Sequence, residues 1–197
     1  MFGHAAVSIE RFNTKAAFSD RPDAPSGSQL KLAKHRVVVR AGDQAERFFE
    51  VESGAVMAYR LLAAGRRQLV EIVFPGGICG LASGDLHESS CETLMPSVLR
   101  SFKRSDLARS DALRVRIVGR LQAQLSAMHD HAVSLGRKTA EERVCTLILR
   151  LRDVERDAAT SATAIALPMS RTEIADYLGL TLETVCRTIS DLARRNL

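Results

Sequence analysis

The spacing of apolar residues along the chain follows two patterns. From His35 to Phe102 short β-favouring runs alternate with turn signals: Val37-Val38-Val39, then Ala41-Gly42-Asp43, then Phe48-Phe49-Glu50-Val51, then Ser53-Gly54. Ala55 to Leu62, Gln68 to Phe74 and Ser97 to Phe102 continue the series, separated by Ala64-Gly65-Arg66 and Pro75-Gly76-Gly77. Strands this closely spaced predict an antiparallel roll or sandwich. Ahead of them, Ser19 to Ser28 is dense in turn formers and poor in apolar residues, so residues 1–28 read as an arm.

Beyond Asp106 the period becomes helical. Leu113, Ile117, Leu121, Leu125, Met128, Ala132 and Leu135 recur at steps of four and three, with Arg114, Arg116, Arg120, Gln122, Gln124 and Asp130 on other faces. Steps averaging near 3.5 residues are those of a coiled-coil seam. Such a helix either packs on its own domain or pairs with a second copy. About 25 residues at 1.5 Å each give about 37 Å, more than a small roll needs, which favours a dimer through that stripe. Gly136 fits a C-terminal cap, and Thr139-Ala-Glu-Glu142 reads as a capping box opening a second helix with buried face Val144, Leu147, Ile148 and Leu151. That helix is expected to end in the small, polar stretch Asp157 to Thr163.

The segment Leu167 to Leu192 predicts two short helices around a sharp turn. Ser170 and Glu173 form a capping box, Ile174 and Leu178 face inward, and Gly179 allows the turn because it lacks a β-carbon. Thr181 caps the next helix, whose inner face is Val185, Ile189 and Leu192 and whose outer face is Glu183, Cys186, Arg187 and Ser190. This is helix-turn-helix spacing. In a major groove Arg187 could donate to guanine while Glu183 accepts from a cytosine amino group; the same two residues, four apart, could equally form an ordinary exposed ion pair.

Composition narrows the class without choosing within it. The 197 residues are 46% apolar and 26% charged, which suits a globular chain with a real core. No apolar run approaches the roughly 20 residues of a membrane helix, and Met1 to Phe18 lacks the pattern of an export signal, so the expectation is a cytoplasmic protein with no membrane span. Net charge +5 is compatible with a polyanionic partner and does not establish one. The four cysteines, Cys79, Cys91, Cys145 and Cys186, form no C-x-x-C pair; Cys79, Cys91 and Cys145 read as buried core thiols, and neither a disulfide framework nor a zinc site is expected. No nucleophile-base set, Walker loop or dinucleotide fingerprint is present, and a cupin-type metal roll would need two or three converging histidines where only His87 lies near a strand, so catalysis is not expected.

Ala140-Glu-Glu-Arg-Val144, Met169-Ser-Arg through Tyr177-Leu-Gly-Leu180, Glu183-Thr-Val-Cys-Arg187, Arg40-Ala-Gly-Asp43 and Ser53-Gly54 together resemble the cAMP receptor protein/FNR family of bacterial transcription regulators, nearest the FNR and FixK-type branches. The resemblance runs from about Leu30 to the C-terminus. It implies an α+β chain: an eight-stranded, jelly-roll-like antiparallel β-roll of the cyclic-nucleotide-binding kind (29–108), a long dimerisation helix (109–136) and a C-terminal helix-turn-helix domain (137–197). The implied partners are a second copy, palindromic double-stranded DNA with TTGA-like half-sites, and RNA polymerase. Carried over position by position, Glu183 and Arg187 read the G·C pair, Leu182 and Cys186 lie against thymine methyls, and Ser170, Arg171, Thr181 and Thr184 hold phosphates. Cys186 stands where that branch has serine.

The chain also departs from the family pattern. The cyclic-nucleotide cassette has Gly-Glu-Leu and later Arg-Ser/Thr-Ala; here Gly80-Leu-Ala-Ser83 and Ser89-Ser-Cys-Glu92 lack both polar anchors, so cyclic nucleotide is not expected to bind. The first cysteine is Cys79, so an FNR-type iron–sulfur cluster is not expected either, and no cofactor is assigned. Cys186, near Arg187 on the DNA-facing helix, is a redox candidate; alternatively it is a small neighbour for thymine. The chain stops at Leu197, and a β-hairpin wing after the recognition helix is expected to be missing. The alternative reading is a dimeric ligand-sensing module with impaired DNA binding.

Overall fold

The structure, a computed structural model, describes residues 27–62, 67–157 and 167–195. Residues 1–26 of the expected arm, the turn at Ala64-Gly65-Arg66 and most of the Asp157–Thr163 stretch lie outside them, and Ser28, placed at the end of that arm, instead opens the first strand. Eight strands are present among the described residues: β1 (Ser28–Leu32), β2 (Val37–Val39), β3 (Arg47–Ser53), β4 (Val56–Leu61), β5 (Arg67–Val73), β6 (Ile78–Cys79), β7 (Ser90–Thr93) and β8 (Ser97–Lys103). They pair antiparallel into two four-stranded sheets, β1-β8-β3-β6 and β2-β7-β4-β5. Five helices follow: α1 (Asp106–Arg109), α2 (Asp111–Arg137), α3 (Ala140–Asp157), α4 (Arg171–Leu178) and α5 (Leu182–Arg194).

Side-chain alternation explains the layering. Val51, Val56, Val73, Cys79, Cys91 and Leu99 point between the sheets and form the inner core. Their neighbours point outward and are buried as well. Phe48, Ile78 and Phe102 on the first sheet are covered by Leu113 and Ile117 of α2. Met57, Leu69 and Ile72 on the second join Val144, Leu147, Leu151, Ile174, Tyr177 and Val185 of the helical region in one continuous cluster. Both sheets therefore lie between apolar layers, which is why adjacent apolar residues such as Phe48-Phe49, Val56-Met57 and Ile72-Val73 are buried on opposite faces of one strand.

Three strands escaped the sequence reading. β1 is exposed over Ser28–Lys31, β6 has only two residues, and β7 is the polar Ser90-Cys91-Glu92-Thr93. The hydroxyls of β7 bond to backbone instead: Ser90 Oγ accepts from Ala41 N at 3.0 Å, while Thr93 Oγ1 accepts from Arg36 N at 2.9 Å and donates to Ala33 O at 2.7 Å. Buried polar atoms satisfied in this way carry little penalty.

The stripe expected to form the dimer seam divides along α2. Leu113 and Ile117 are 0% and 2% exposed within their own chain, and Leu121 is half-buried against the same roll. Burying a side chain of this size stabilises by about 1.5–3 kcal/mol, so these residues belong to the roll and offer no surface to a second copy. Leu125, Met128 and Ala132 are exposed, and Leu135 is half-buried. A different row, Val115, Val118 and Leu125, faces solvent at 66%, 52% and 52%.

Polar contacts hold α2 to the roll. Buried Glu50 on β3 meets Arg116 at 2.5 Å and Arg120 at 3.1 Å. Gln124 accepts from Ile78 N at 2.8 Å and donates to Ile78 O at 3.1 Å and to Glu71 at 2.8 Å.

Candidate nucleic-acid interface

The local chemistry of α4 and α5 follows their sequence. Ser170 Oγ accepts from Glu173 N at 3.2 Å and the Glu173 carboxylate accepts from Ser170 N at 2.8 Å, completing the capping box. Gly179 ends α4 in the left-handed region, φ 60°, with its N–H bonded to Ala175 O. Thr181 Oγ1 accepts from Thr184 N at 3.2 Å and lies 2.8 Å from Thr184 Oγ1, opening α5. Val185 and Leu192 are buried and Ile189 half-buried, which fixes the rotation of α5. The outer face then presents Leu182, Glu183, Cys186 and Arg187, all exposed.

Glu183 and Arg187 form no ion pair with each other, and neither side chain has a partner among the described residues. The exposed-pair alternative therefore does not hold in this structure. Both groups are available to a groove, where an arginine bonded bidentately to guanine contributes about 1–3 kcal/mol of discrimination. Arg171 is exposed at the first turn of α4 and Thr184 half-exposed at that of α5, close to helix N-termini that favour anions. The described residues end at Arg195, so the expectation about a wing lies outside them.

Two residues not singled out in the sequence set the position of this reader. Arg143 on α3 donates to Leu135 O at the end of α2 at 2.5 Å, to Lys138 O in the connection at 3.0 Å and to Leu178 O at the end of α4 at 3.0 Å. A cation suits such a cluster of helix C-terminal carbonyls. His131 of α2 stacks on Tyr177 of α4, centroids 4.2 Å apart, with Nε2 3.1 Å from Tyr177 O. Burial holds this imidazole below the ordinary histidine range; Arg150 and Arg143 push the same way, against the Tyr177 carbonyl. Arg143 was legible only as part of a family motif, and nothing in the sequence pointed His131 at Tyr177.

The roll contains a cavity of about 450 Å³ between the two sheets and α2, lined among others by Glu71, Cys79, Gly80, His87, Glu88 and Cys91. Among the described residues its lining includes two carboxylates and no lysine or arginine. Burial pushes the Glu71 carboxyl up, opposed by the Gln124 hydrogen bond. Among its described walls no guanidinium or ammonium group stands ready to pair with a cyclic nucleotide's phosphate. Among the described residues no group of three or more histidine, cysteine or acidic side chains is placed to hold a metal. No described helix is long and apolar enough to cross a membrane.

A two-sheet roll joined through a long helix to an exposed helix-turn-helix reader defines a class of DNA-binding regulator. Comparison with known proteins agrees. Residues 142–197 match the Crp-like helix-turn-helix domain, and residues 29–110 match the cyclic nucleotide-binding domain. The chain is 35% identical over 164 residues to the nitrogen fixation regulation protein FixK of Rhizobium meliloti, covering 82% of this chain and 74% of that one. The structure of FixK2 from Bradyrhizobium japonicum superposes with a TM-score of 0.67 at 36% identity, covering 86% of each chain. A CRP-family regulator from Thermus thermophilus shares the fold, with a TM-score of 0.72 at 22% identity, covering 85% of this chain and 86% of that one. The chain belongs to the CRP/FNR family of transcription regulators: it is a DNA-binding protein and not an enzyme.

Proposed function

We propose that the protein acts in the cytoplasm as a homodimer on a palindrome of TTGA-like half-sites, activating transcription through contact with RNA polymerase and needing neither cyclic nucleotide nor an iron–sulfur cluster. The observation that carries the reading is the outward, unpartnered placement of Glu183 and Arg187 on a recognition helix locked by buried Val185 and Leu192. Leu182 and Cys186 flank them and face neighbouring thymine methyls; Ser170, Arg171, Thr181 and Thr184 hold phosphates and set the register.

Pairing runs through the outer row of α2, with Val115, Val118, Leu125 and Ala132 as its apolar positions at steps of three, seven and seven residues, a heptad spacing. This row lies about a third of a turn round the helix from Leu113 and Ile117. Val118→Asp is expected to leave a folded monomer in sedimentation equilibrium; a variant that stays dimeric would refute the seam.

Cys186 adds a redox element. Oxidation to a sulfenate or mixed disulfide places bulk and negative charge at the groove and weakens binding. The test is fluorescence anisotropy with a TTGA-N6-TCAA duplex and a scrambled control, with the reduced protein, after peroxide, and with Cys186→Ser. Preferential binding that peroxide weakens, and that Cys186→Ser makes peroxide-resistant, is expected. Equal binding to both duplexes would sink the DNA-reading assignment and leave the roll as a ligand-sensing module.

A further inference from the structure

We propose that Cys79 and Cys91 form a two-thiol site in the wall of the roll cavity, which a hydroperoxide converts into a disulfide joining the two sheets. Cys79 is on β6 of the first sheet and Cys91 on β7 of the second. Both belong to the inter-sheet core and both line the cavity, where the two thiols lie close enough for each to shift the other's titration. The cavity rim carries exposed Ser83 and Glu88, so the wall that holds the two buried thiols borders a space open toward solvent.

The two thiols are not equivalent. Cys91 sulfur accepts from the Cys79 thiol and from the Gly80 backbone N–H; these bonds favour negative charge and lower its pKa, against burial and the nearby Glu71. As the donor of that bond, and as a buried group, Cys79 is held well above the usual thiol range. Gly80 can turn its N–H this way because it sits at φ 75°, and a β-carbon there would lie 3.3 Å from Val39 Cγ1. Cys91 is thus the attacking sulfur and Cys79 the resolving one. This pairing is a property of the roll and holds whether or not α5 reads DNA.

The chemistry takes two steps. The Cys91 thiolate attacks one peroxide oxygen: an S–O bond forms, the O–O bond breaks, and the alcohol or water leaves with a proton. Cys91 becomes a sulfenic acid, oxidised by two electrons, and the peroxide is reduced. Cys79 sulfur then attacks Cys91 sulfur as its proton passes to the departing hydroxide; the S–S bond forms, the S–O bond breaks, and water leaves. Two thiols and one hydroperoxide give one disulfide, one alcohol and one water. Cys145 is half-buried and Cys186 exposed, and neither is paired with a second sulfur.

The test uses the full chain carrying Cys145→Ser and Cys186→Ser, treated under native conditions with one equivalent of hydrogen peroxide, then denatured and alkylated. The expected result is loss of both alkylation sites together, an intact mass lower by two hydrogens, a peptide linking Cys79 to Cys91, and reversal by dithiothreitol. In Cys79→Ala, Cys91 is expected to stop at a sulfenic acid trapped by dimedone. Two thiols still alkylated after peroxide, Cys91 over-oxidised while Cys79 stays free, or a bridge that forms only in urea would each overturn the proposal.

Discussion

Replacing Glu50 by alanine tests how α2 is fixed to the roll. Glu50 is 3% exposed on β3, and its carboxylate is shared by Arg116 and by Arg120, which are 20% and 23% exposed. The Arg120 contact is an ion pair without an aligned N–H, so Arg116 carries the stronger bond. Removing one partner of a fully buried pair costs about 3–5 kcal/mol. Here solvent reaches both guanidiniums and relieves part of that cost, which puts Glu50→Ala at about 3 kcal/mol. For a chain of this size each kcal/mol lowers Tm by about 2–4 °C, so a drop of about 6–12 °C is expected. Glu50→Gln keeps one acceptor oxygen and should lose about half as much. Urea denaturation followed by far-UV circular dichroism gives the free energy, and Glu50→Ala in an Arg116→Ala/Arg120→Ala background isolates the coupling. A loss below about 1 kcal/mol, or an equal loss in both backgrounds, would refute the view that this pair fastens α2.

Arg187→Ala should cost about 1–3 kcal/mol in binding to the palindrome and relax discrimination at the guanine, whereas Arg171→Ala should weaken all duplexes alike and reduce the salt slope by about one; anisotropy titrations at several salt concentrations separate the two. Burial lowers the pKa of His131, and likewise that of His87 against Asp43 and the Gly80 carbonyl, so the unfolded chain takes up these protons first. Stability from both groups is therefore intact above pH about 6.5 and declines as pH falls below it; His131→Gln, which can still donate to Tyr177 O, should flatten the profile of Tm between pH 7.5 and 5.5. Gly179→Ala meets no atom closer than 3.8 Å and should cost only the left-handed backbone penalty, about 1–2 kcal/mol by thermal unfolding. Ser170→Ala removes one half of the capping box and should cost about 1 kcal/mol in the same assay.

The helix-turn-helix was legible because each of its decisions is local. Ser170 with Glu173, Gly179 and Thr181 fix ends and turns within four residues, and Val185 with Leu192 fixes the face. The long helix was legible as a helix but not in its packing. Its apolar stripe merges two faces, since Leu113 and Ile117 answer to Phe48 and Phe102 while Leu125 answers to solvent, and only tertiary contact separates them. Strands β6 and β7 were hidden for a similar reason: their place depends on β3, β2 and β4, distant in sequence. The closeness of Cys79 and Cys91, one on each sheet, could not be read from their separation along the chain.

Gln124 gives α2 a second task. β6 is the outermost strand of its sheet, and such a strand leaves a row of backbone donors and acceptors without a neighbour. The Gln124 amide has the shape of a peptide group and exchanges both of its bonds with one residue, Ile78, as an adjoining strand would in the close pairs of an antiparallel ladder. A helix side chain thus serves as a fragment of a fifth strand and closes the margin of the sheet. Variants that loosen α2 should therefore uncover a template for strand addition, and their loss of stability should be accompanied by self-association of the roll.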